Sequence, residues 1–363
     1  MTSQFHLNQM HSDYQASINA YLQNINTSSE DEILKQLASD GYISLPSNED
    51  SKASDYLSLS LAVEEISKQY PAVSNKVVEL LFAQETIKRY ACQEHKDSCS
   101  LKVAKLDVKI NVLFTEPGNY GAAKLSTKVQ KTDNGYKVQG TKVFVKENEG
   151  ADKYLVAAKL VDGDKSELVL VGVDADKVSI VKKEISIGAS KAELQVAEID
   201  VEVESEKVIT GVSNEMREAL CVWRTLIASS SVGLAYSYLS ASLGTMKTNK
   251  DSDNQALTSS QAVQFTLADI FGEIEGARSV AYYSSALIDA GTPSVRFSSI
   301  AKVQAAEAVV FASNKASDLI GSVGVVDNPA YLQYLNLAYN RQMKDGTPRN
   351  SYNVIYEEAL ARR

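Results

Sequence analysis

The stretch Leu113-Phe114-Thr115-Glu116-Pro117-Gly118, followed by Gly140-Thr141-Lys142-Val143-Phe144-Val145, decides how this chain is read. It lies where the hydrophobic period changes. Before it, Leu57, Leu61, Val63 and Ile66, then Val77, Leu80, Leu81 and Ile87, recur roughly every three to four residues, the spacing of one helical face. From about Lys109 the period becomes two. Tyr136, Val138 and Gly140 alternate with polar residues after Asp133-Asn134-Gly135, a strong hairpin signal. Tyr154-Val156-Ala158, Leu168-Leu170, Val178-Ile180 and Leu194-Val196 continue as short strands, and Val201, Val203 and Val208 close the region.

Helical spacing then returns. Val263, Leu267, Ile270, Ile274, Ala277 and Ala281 form one apolar stripe on a long helix. Residues 226–239 and 301–319 are similar and rich in small side chains, and shorter segments follow at 329–342 and 350–360. The pattern predicts an α+β chain: an N-terminal helical domain (1–108), a middle antiparallel β sandwich or barrel (109–208) and a C-terminal four-helix bundle (209–363).

Composition narrows the function classes. With 363 residues, 44% of them hydrophobic, the chain is long enough to bury a large core. A net charge of −9 argues against a nucleic-acid partner, whose phosphates demand concentrated Lys and Arg. No run of about 18 apolar residues predicts a membrane span. Cys92, Cys99 and Cys221 fit a reducing, cytoplasmic setting without a disulfide framework. The histidines are His6, His11 and His95, too few and too scattered for a multi-histidine metal site.

Helical, β and bundle segments in this order, together with four motifs, resemble the acyl-CoA dehydrogenases. Thr115-Glu116-Pro117-Gly118 looks like the family's TEPGAGSD turn, and residues 135–142 resemble its DGY-x-x-x-GTK hairpin. Gln261-Ala262-Val263-Gln264-Phe265 with Leu267-Ala268-Asp269 is similar to QAVQF-x-LAD, and Asp345-Gly346-Thr347 stands where the family has EGT. The resemblance implies FAD as cofactor and an acyl-CoA substrate. It also implies a homo-oligomer (dimer or tetramer) or a hetero-oligomer with a related subunit.

That resemblance assigns roles residue by residue. The family's base removes an α-proton while hydride leaves the β-carbon for flavin N5. Here Asp345 takes the base position, one methylene shorter than Glu; the same Asp-Gly-Thr-Pro run also suits a plain helix-ending turn. Arg224 matches an arginine of the helix on which other members carry an alternative base, and its neighbour Trp223 occupies that base's place. A buried salt bridge within the bundle is the other reading of Arg224. Thr115 corresponds to the residue bonding the isoalloxazine edge, and Phe144 replaces the usual Trp against the ring. Lys146 replaces the Ser or Thr near flavin N5, pointing either at a ring carbonyl or at solvent.

Gly121 and Ala122 replace the family's serine and aspartate on the substrate side. Lys250, Gln261 and Thr347 fall in the remaining cofactor-binding segments. Lys250 replaces an arginine of R-x-x-F-G and Asp253 its Phe; Asp318 stands in the Q-x-x-GG segment, and Asn336-Leu337-Ala338 replaces RDA. These altered segments would serve a neighbouring subunit's flavin, so a flavin-poor subunit paired with a catalytic partner is the alternative to an enzyme. Glu273, Glu275 and Arg278 read as a solvated or salt-bridged face, and Tyr282-Tyr283 as packing.

Overall fold

Polar caps start the first helices of this computed structural model, which describes residues 7–90, 96–118, 125–145, 151–162, 165–187, 190–327, 330–343 and 346–361. Asn8 accepts the His11 amide at the start of α1 (Gln9–Gln23). Ser29 accepts the Glu32 amide ahead of α2 (Glu30–Ser39), whose first turn carries three acids facing the positive helix end. Helix α3 (Tyr56–Gln69) is capped twice. Asp55 accepts the Ser58 amide, and Asp289, far along the chain, accepts the Tyr56 and Leu57 amides at 2.7 and 3.1 Å. Helices α4 (Pro71–Tyr90) and α5 (Lys96–Ala104) follow.

The β region comprises β1 (Ile110–Leu113), β2 (Lys128–Thr132), β3 (Gly135–Val143), β4 (Lys153–Asp162), β5 (Lys165–Asp174), β6 (Ser179–Ile187), β7 (Ser190–Val203) and β8 (Val208–Ile209). Among the described residues these make one sheet, β6-β7-β3-β2-β4-β5-β8, with β1 beside β4. The hairpin expected at Asp133-Asn134-Gly135 joins β2 to β3, with Thr132 opposite Gly135.

Pairing departs from the all-antiparallel expectation along β4, in the middle of the sheet. Both β1 and β2 run parallel to β4, β1 against residues 153–156 and β2 against 159–160. They lie end to end along the edge that β5 leaves open. Alternating side chains fix which face a strand buries but carry no information about its direction. Tyr154, Val156 and Ala158 share a core with Val129, Val138, Val201 and Val203, as the period predicts. On β5 that face is Val169, Val171 and Val173 rather than Leu168 and Leu170.

The remaining helices are α6 (Ser213–Thr248), α7 (Gln261–Asp289), α8 (Val295–Asp327), α9 (Ala330–Met343) and α10 (Pro348–Tyr356). Met216–Thr248 of α6 is long and apolar enough to cross a membrane by length and composition, which the sequence reading excluded. In the fold 78% of its most apolar window is buried, as in a core helix. The chain divides into two compact units, Met1–Phe82 with Leu220–Arg363, and Ala83–Ala219, with boundaries inside α4 and α6.

In the helical unit the stripe read on α7 faces inward as expected. Ile270, Ile274, Ala277 and Ala281 are buried, with Val263 and Leu267 packed alongside, against Tyr238 of α6 and Ala305, Val309 and Ala312 of α8. Small side chains bring α3 close to α6. A Cβ on Gly233 would lie 2.3 Å from the Glu64 carbonyl oxygen and 2.7 Å from Ser67 Cβ, so only glycine permits this approach.

Polar ties join α3 to α7. Arg278, 2% exposed, forks onto fully buried Glu64, with Nη2–Oε1 at 2.8 Å and Nε–Oε2 at 3.3 Å. Lys68 and the Tyr282 hydroxyl also donate to Glu64, each at 2.8 Å. Burial alone would raise the Glu64 carboxyl, but Lys68 and Arg278 outweigh it and hold it below its ordinary value. Arg278 further pairs with Glu275 and covers the Tyr236 ring at 4.2 Å. Of the charged trio read on α7, Arg278 and Glu275 are therefore salt-bridged while Glu273 is exposed. Tyr282 is buried, whereas Tyr283 is exposed and packs edge-on to Phe297.

Arg278→Met would leave buried Glu64 without its forked partner and is expected to cost about 3–5 kcal/mol; adding Glu64→Leu should recover most of the loss. Urea denaturation measures both. A single-variant loss below about 1 kcal/mol is what a solvated pair would give.

Candidate functional site

The two quoted stretches meet around one carboxylate. Glu116, at the end of the β1 segment, is fully buried and accepts five hydrogen bonds. Ser126 donates its amide at 2.5 Å and its hydroxyl at 2.6 Å to Oε2. Thr127 donates amide and hydroxyl to Oε1 at 2.9 and 2.6 Å, and the Lys142 ammonium reaches Oε1 at 2.8 Å. Lys142, 1% exposed, also donates to the Phe114 carbonyl at 3.2 Å.

Burial pushes Glu116 upward, but the bonds from Lys142, Ser126 and Thr127 bring it down to about 2. Burial likewise lowers Lys142, with Glu116 offsetting only part. Gly140 makes room for this cage, because a Cβ there would sit 2.4 Å from Thr127 Oγ1 and 2.7 Å from its Cβ. The Thr-Glu-Pro-Gly and Gly-Thr-Lys motifs are thus two halves of one buried ion pair. Their separation along the sequence gave no hint of it.

The cage holds Thr115 and Phe144 beside each other. The Val143 amide donates to the Thr115 carbonyl at 2.9 Å, and Val145 donates to the Gln195 carbonyl at 3.2 Å. Between these anchors Phe144 adopts φ +58° and is 56% exposed. A bulky residue in the left-handed region with its ring turned outward is costly unless its position is used. An exposed flat aromatic beside a threonine fits the edge and face of a planar ring system. Lys146 and Gly121 lie outside the described residues.

In the helical unit, α4 and α6 run antiparallel. Ser74 meets Ser230 with hydroxyls 2.5 Å apart, and further along α4 Phe82 stacks on Trp223 at 4.1 Å and 11°. The Trp223 indole N–H is buried and has no hydrogen-bond partner among the described residues. Such an unpaired donor costs about 1–3 kcal/mol. Arg224, next in sequence, is partly buried. Arg341 of α9 donates to Ser74 and Ser230 at 2.9 and 2.6 Å, tying α9 to this pair.

The segment carrying the candidate base links α9 to α10. Asp345 itself lies outside the described residues; its neighbours are firmly held. Lys302 of α8, fully buried, donates to the Gln342 carbonyl at 3.1 Å and the Gly346 carbonyl at 2.5 Å. Thr347 occupies the N-cap of α10, ahead of Pro348, and its carbonyl accepts the Asn350 amide at 3.0 Å. Neither Lys302 nor the Phe82–Trp223 stack was singled out in the sequence as a contact. A lysine on an apolar helix and an aromatic pair on different helices have no local signature.

The remaining cofactor candidates cluster at the α6–α7 connection. Lys250 is exposed in a tight turn whose Asp251 carboxylate accepts the Asp253 and Gln255 amides, each at 2.9 Å. Asp253 is exposed, and Gln261 is exposed at the first position of α7. On α8 Asp318 is exposed just before Gly321, where the helix breaks at φ +65°.

Two changes test the cage. Glu116→Gln is expected to lower the melting temperature at neutral pH, since Lys142 loses its counter-charge. Because Glu116 is depressed from 4.5 to about 2, its stabilisation is present above about pH 4.5 and fades as pH falls toward 2. The wild-type-to-variant difference in melting temperature should therefore shrink across that window; a constant difference would sink the assignment. Gly140→Ala should cost about 1–3 kcal/mol in thermal unfolding.

Comparison with known proteins agrees with the motifs and the fold. Residues 211–355 match the family model described as acyl-CoA dehydrogenase, C-terminal domain. The chain is 25% identical over 311 residues to the mitochondrial short-chain specific acyl-CoA dehydrogenase of Mus musculus, covering 83% of this chain and 75% of the relative. The solved butyryl-CoA dehydrogenase of Megasphaera elsdenii superposes with TM-score 0.85 at 21% identity, over 98% of this chain and 99% of that one. A glutaryl-CoA dehydrogenase from Mycobacterium smegmatis, solved in complex with FADH2, gives TM-score 0.85 at 17% identity, over 98% and 95%. Residues 211–355 thus match the acyl-CoA dehydrogenase C-terminal domain, and across its motifs, its fold and these relatives the chain is similar to the acyl-CoA dehydrogenases.

Proposed function

We propose that this protein is an FAD-dependent oxidoreductase that introduces an α,β double bond into a CoA thioester. The observation carrying this reading is the buried Glu116–Lys142 cage, which holds Thr115 beside the outward ring of Phe144. Those two residues would hold the flavin edge and face. When bound, FAD accepts the hydride that leaves the substrate β-carbon.

The chain's own residues supply the rest. Asp345 is the proposed base at the α-carbon, carried between Gln342 and Gly346, whose carbonyls are tied to the buried Lys302 ammonium. Arg224 is proposed beside the reacting acyl group, Gly121 on the substrate side, and Lys146 near the flavin. From a neighbouring subunit, Lys250 and Gln261 would meet the cofactor, with Thr347 in the loop after the base. The assembly is proposed as an oligomer of this chain.

One feature favours a second reading. Asp253 and Asp318 are exposed acids in segments expected to face a pyrophosphate. A like-charge pair at about 4 Å costs on the order of 4 kcal/mol at a surface-like dielectric. A flavin-poor subunit that pairs with a catalytic partner accounts for such replacements.

The visible spectrum of freshly purified protein separates the two. The enzyme reading expects a flavin band that bleaches with an acyl-CoA; colourless protein that takes up no FAD supports the second. Asp345→Asn should reduce turnover by at least about a hundredfold with the melting temperature unchanged. Full activity in that variant rejects Asp345 as the base.

A further inference from the structure

We propose that the outward stripe of α7 is a dimerisation face, on which two copies of this chain pair antiparallel about a two-fold axis level with Ile274. This gives the oligomer proposed above its contact surface, and it uses neither the flavin nor the thioester assignment.

Opposite its buried stripe, α7 presents Phe265, Ala268, Gly272, Gly276, Ser279 and Tyr283, in steps of three and four that keep them on one face. Phe265 is 62% exposed and Tyr283 38%, with Ala268, Gly272 and Gly276 exposed between them. None of the six carries a charge. The outer face of a helix in water ordinarily holds charged side chains, and α7 keeps its exposed acids, Asp269 and Glu273, to one side of this stripe. Two chains of net charge −9 repel, so they meet at least cost on an uncharged face.

The two glycines have no use within one chain. Both lie inside a helix, where glycine is less stable than alanine, and neither has left-handed backbone. A Cβ on either would find nothing within 4 Å among the described residues, whereas Gly233 admits a neighbouring helix. What the missing side chains of Gly272 and Gly276 permit is the close approach of a helix from outside.

The order of the stripe identifies that helix. Gly272 and Gly276 lie two residues either side of Ile274, and Phe265 and Tyr283 nine either side. A stripe that reads alike in both directions is complementary to itself about a two-fold axis. In that pairing Gly272 meets Gly276 of the partner subunit. Phe265 meets Tyr283 of the partner subunit, giving an aromatic pair at each end of about 27 Å of helix.

Sedimentation velocity on the purified full chain, at micromolar concentration, is expected to give an even multiple of the chain mass. Gly272→Lys and Gly276→Lys should each halve that mass and keep the wild-type circular dichroism, because each lysine enters open space on a helix it favours. If either loses its circular dichroism, Phe265→Gln combined with Tyr283→Gln, at two exposed positions, decides in the same way. Oxidation of a Phe265→Cys/Tyr283→Cys chain, followed by peptide mass spectrometry, should yield a 265–283 link; the two positions are too far apart on one helix to join within a chain. A wild type with the mass of a single chain overturns the proposal, as does an unchanged mass in the folded variants. Links of 265 to 265 alone overturn the antiparallel pairing. A single-chain protein that still bleaches a flavin with an acyl-CoA sinks this interface and leaves the enzyme reading standing.

Discussion

Glu64 and Arg278 are separated by 214 residues, with the whole β region between them, yet they form one buried, two-point ion pair. The helical unit depends on that closure, because its core is made from two distant parts of the chain. The same seam is held by the Asp289 cap on α3 and by the glycine-permitted approach of α3 to α6 at Gly233. Apolar packing supplies the driving force for such a seam but tolerates sliding. A forked guanidinium–carboxylate pair has one geometry, so it selects one register. With Lys68, Tyr236 and Tyr282 satisfying the remaining valences, little of the desolvation cost is left uncompensated.

The β unit uses the same device at smaller scale. Five donors converge on Glu116, and Lys142 links it back to the Phe114 carbonyl. The consequence is local rigidity where it matters. Thr115 and Phe144 sit on chain segments that leave the sheet, where regular ladder bonds stop. Without the cage nothing in the strand pairing would oblige Phe144 to keep its left-handed backbone and outward ring. Buried charge is here a means of holding a loop, and the chemistry belongs to its neighbours.

Two kinds of departure from the family pattern have different weight. Where the motif residues serve the chain's own fold, as with Glu116, Gly140 and Lys142, they are intact and fully engaged. Where they would serve a ligand or neighbour, as at Asp253 and Asp318, they are exposed and altered. Trp223 belongs to neither group. It lies inside the helical unit, where its ring stacks on Phe82.

Periodicity by itself determined the order of helical, β and helical segments, the inward stripe on α7, the β2–β3 hairpin and the core faces of β3 and β4. These follow from spacings of about 3.6 and two, which are properties of neighbouring residues. The same reasoning took the other face at Leu168-Leu170 of β5 and at Leu194-Val196 of β7, and missed the parallel pairing of β1 and β2, which depends on how the chain returns. The motifs marked Thr115, Glu116 and Lys142 as notable without revealing that two of them are an ion pair. Only the tertiary structure decided that, along with the Glu64–Arg278 fork, the Lys302 clamp and the Phe82–Trp223 stack. Each joins side chains from different elements, and a contact made across space leaves no period along the chain.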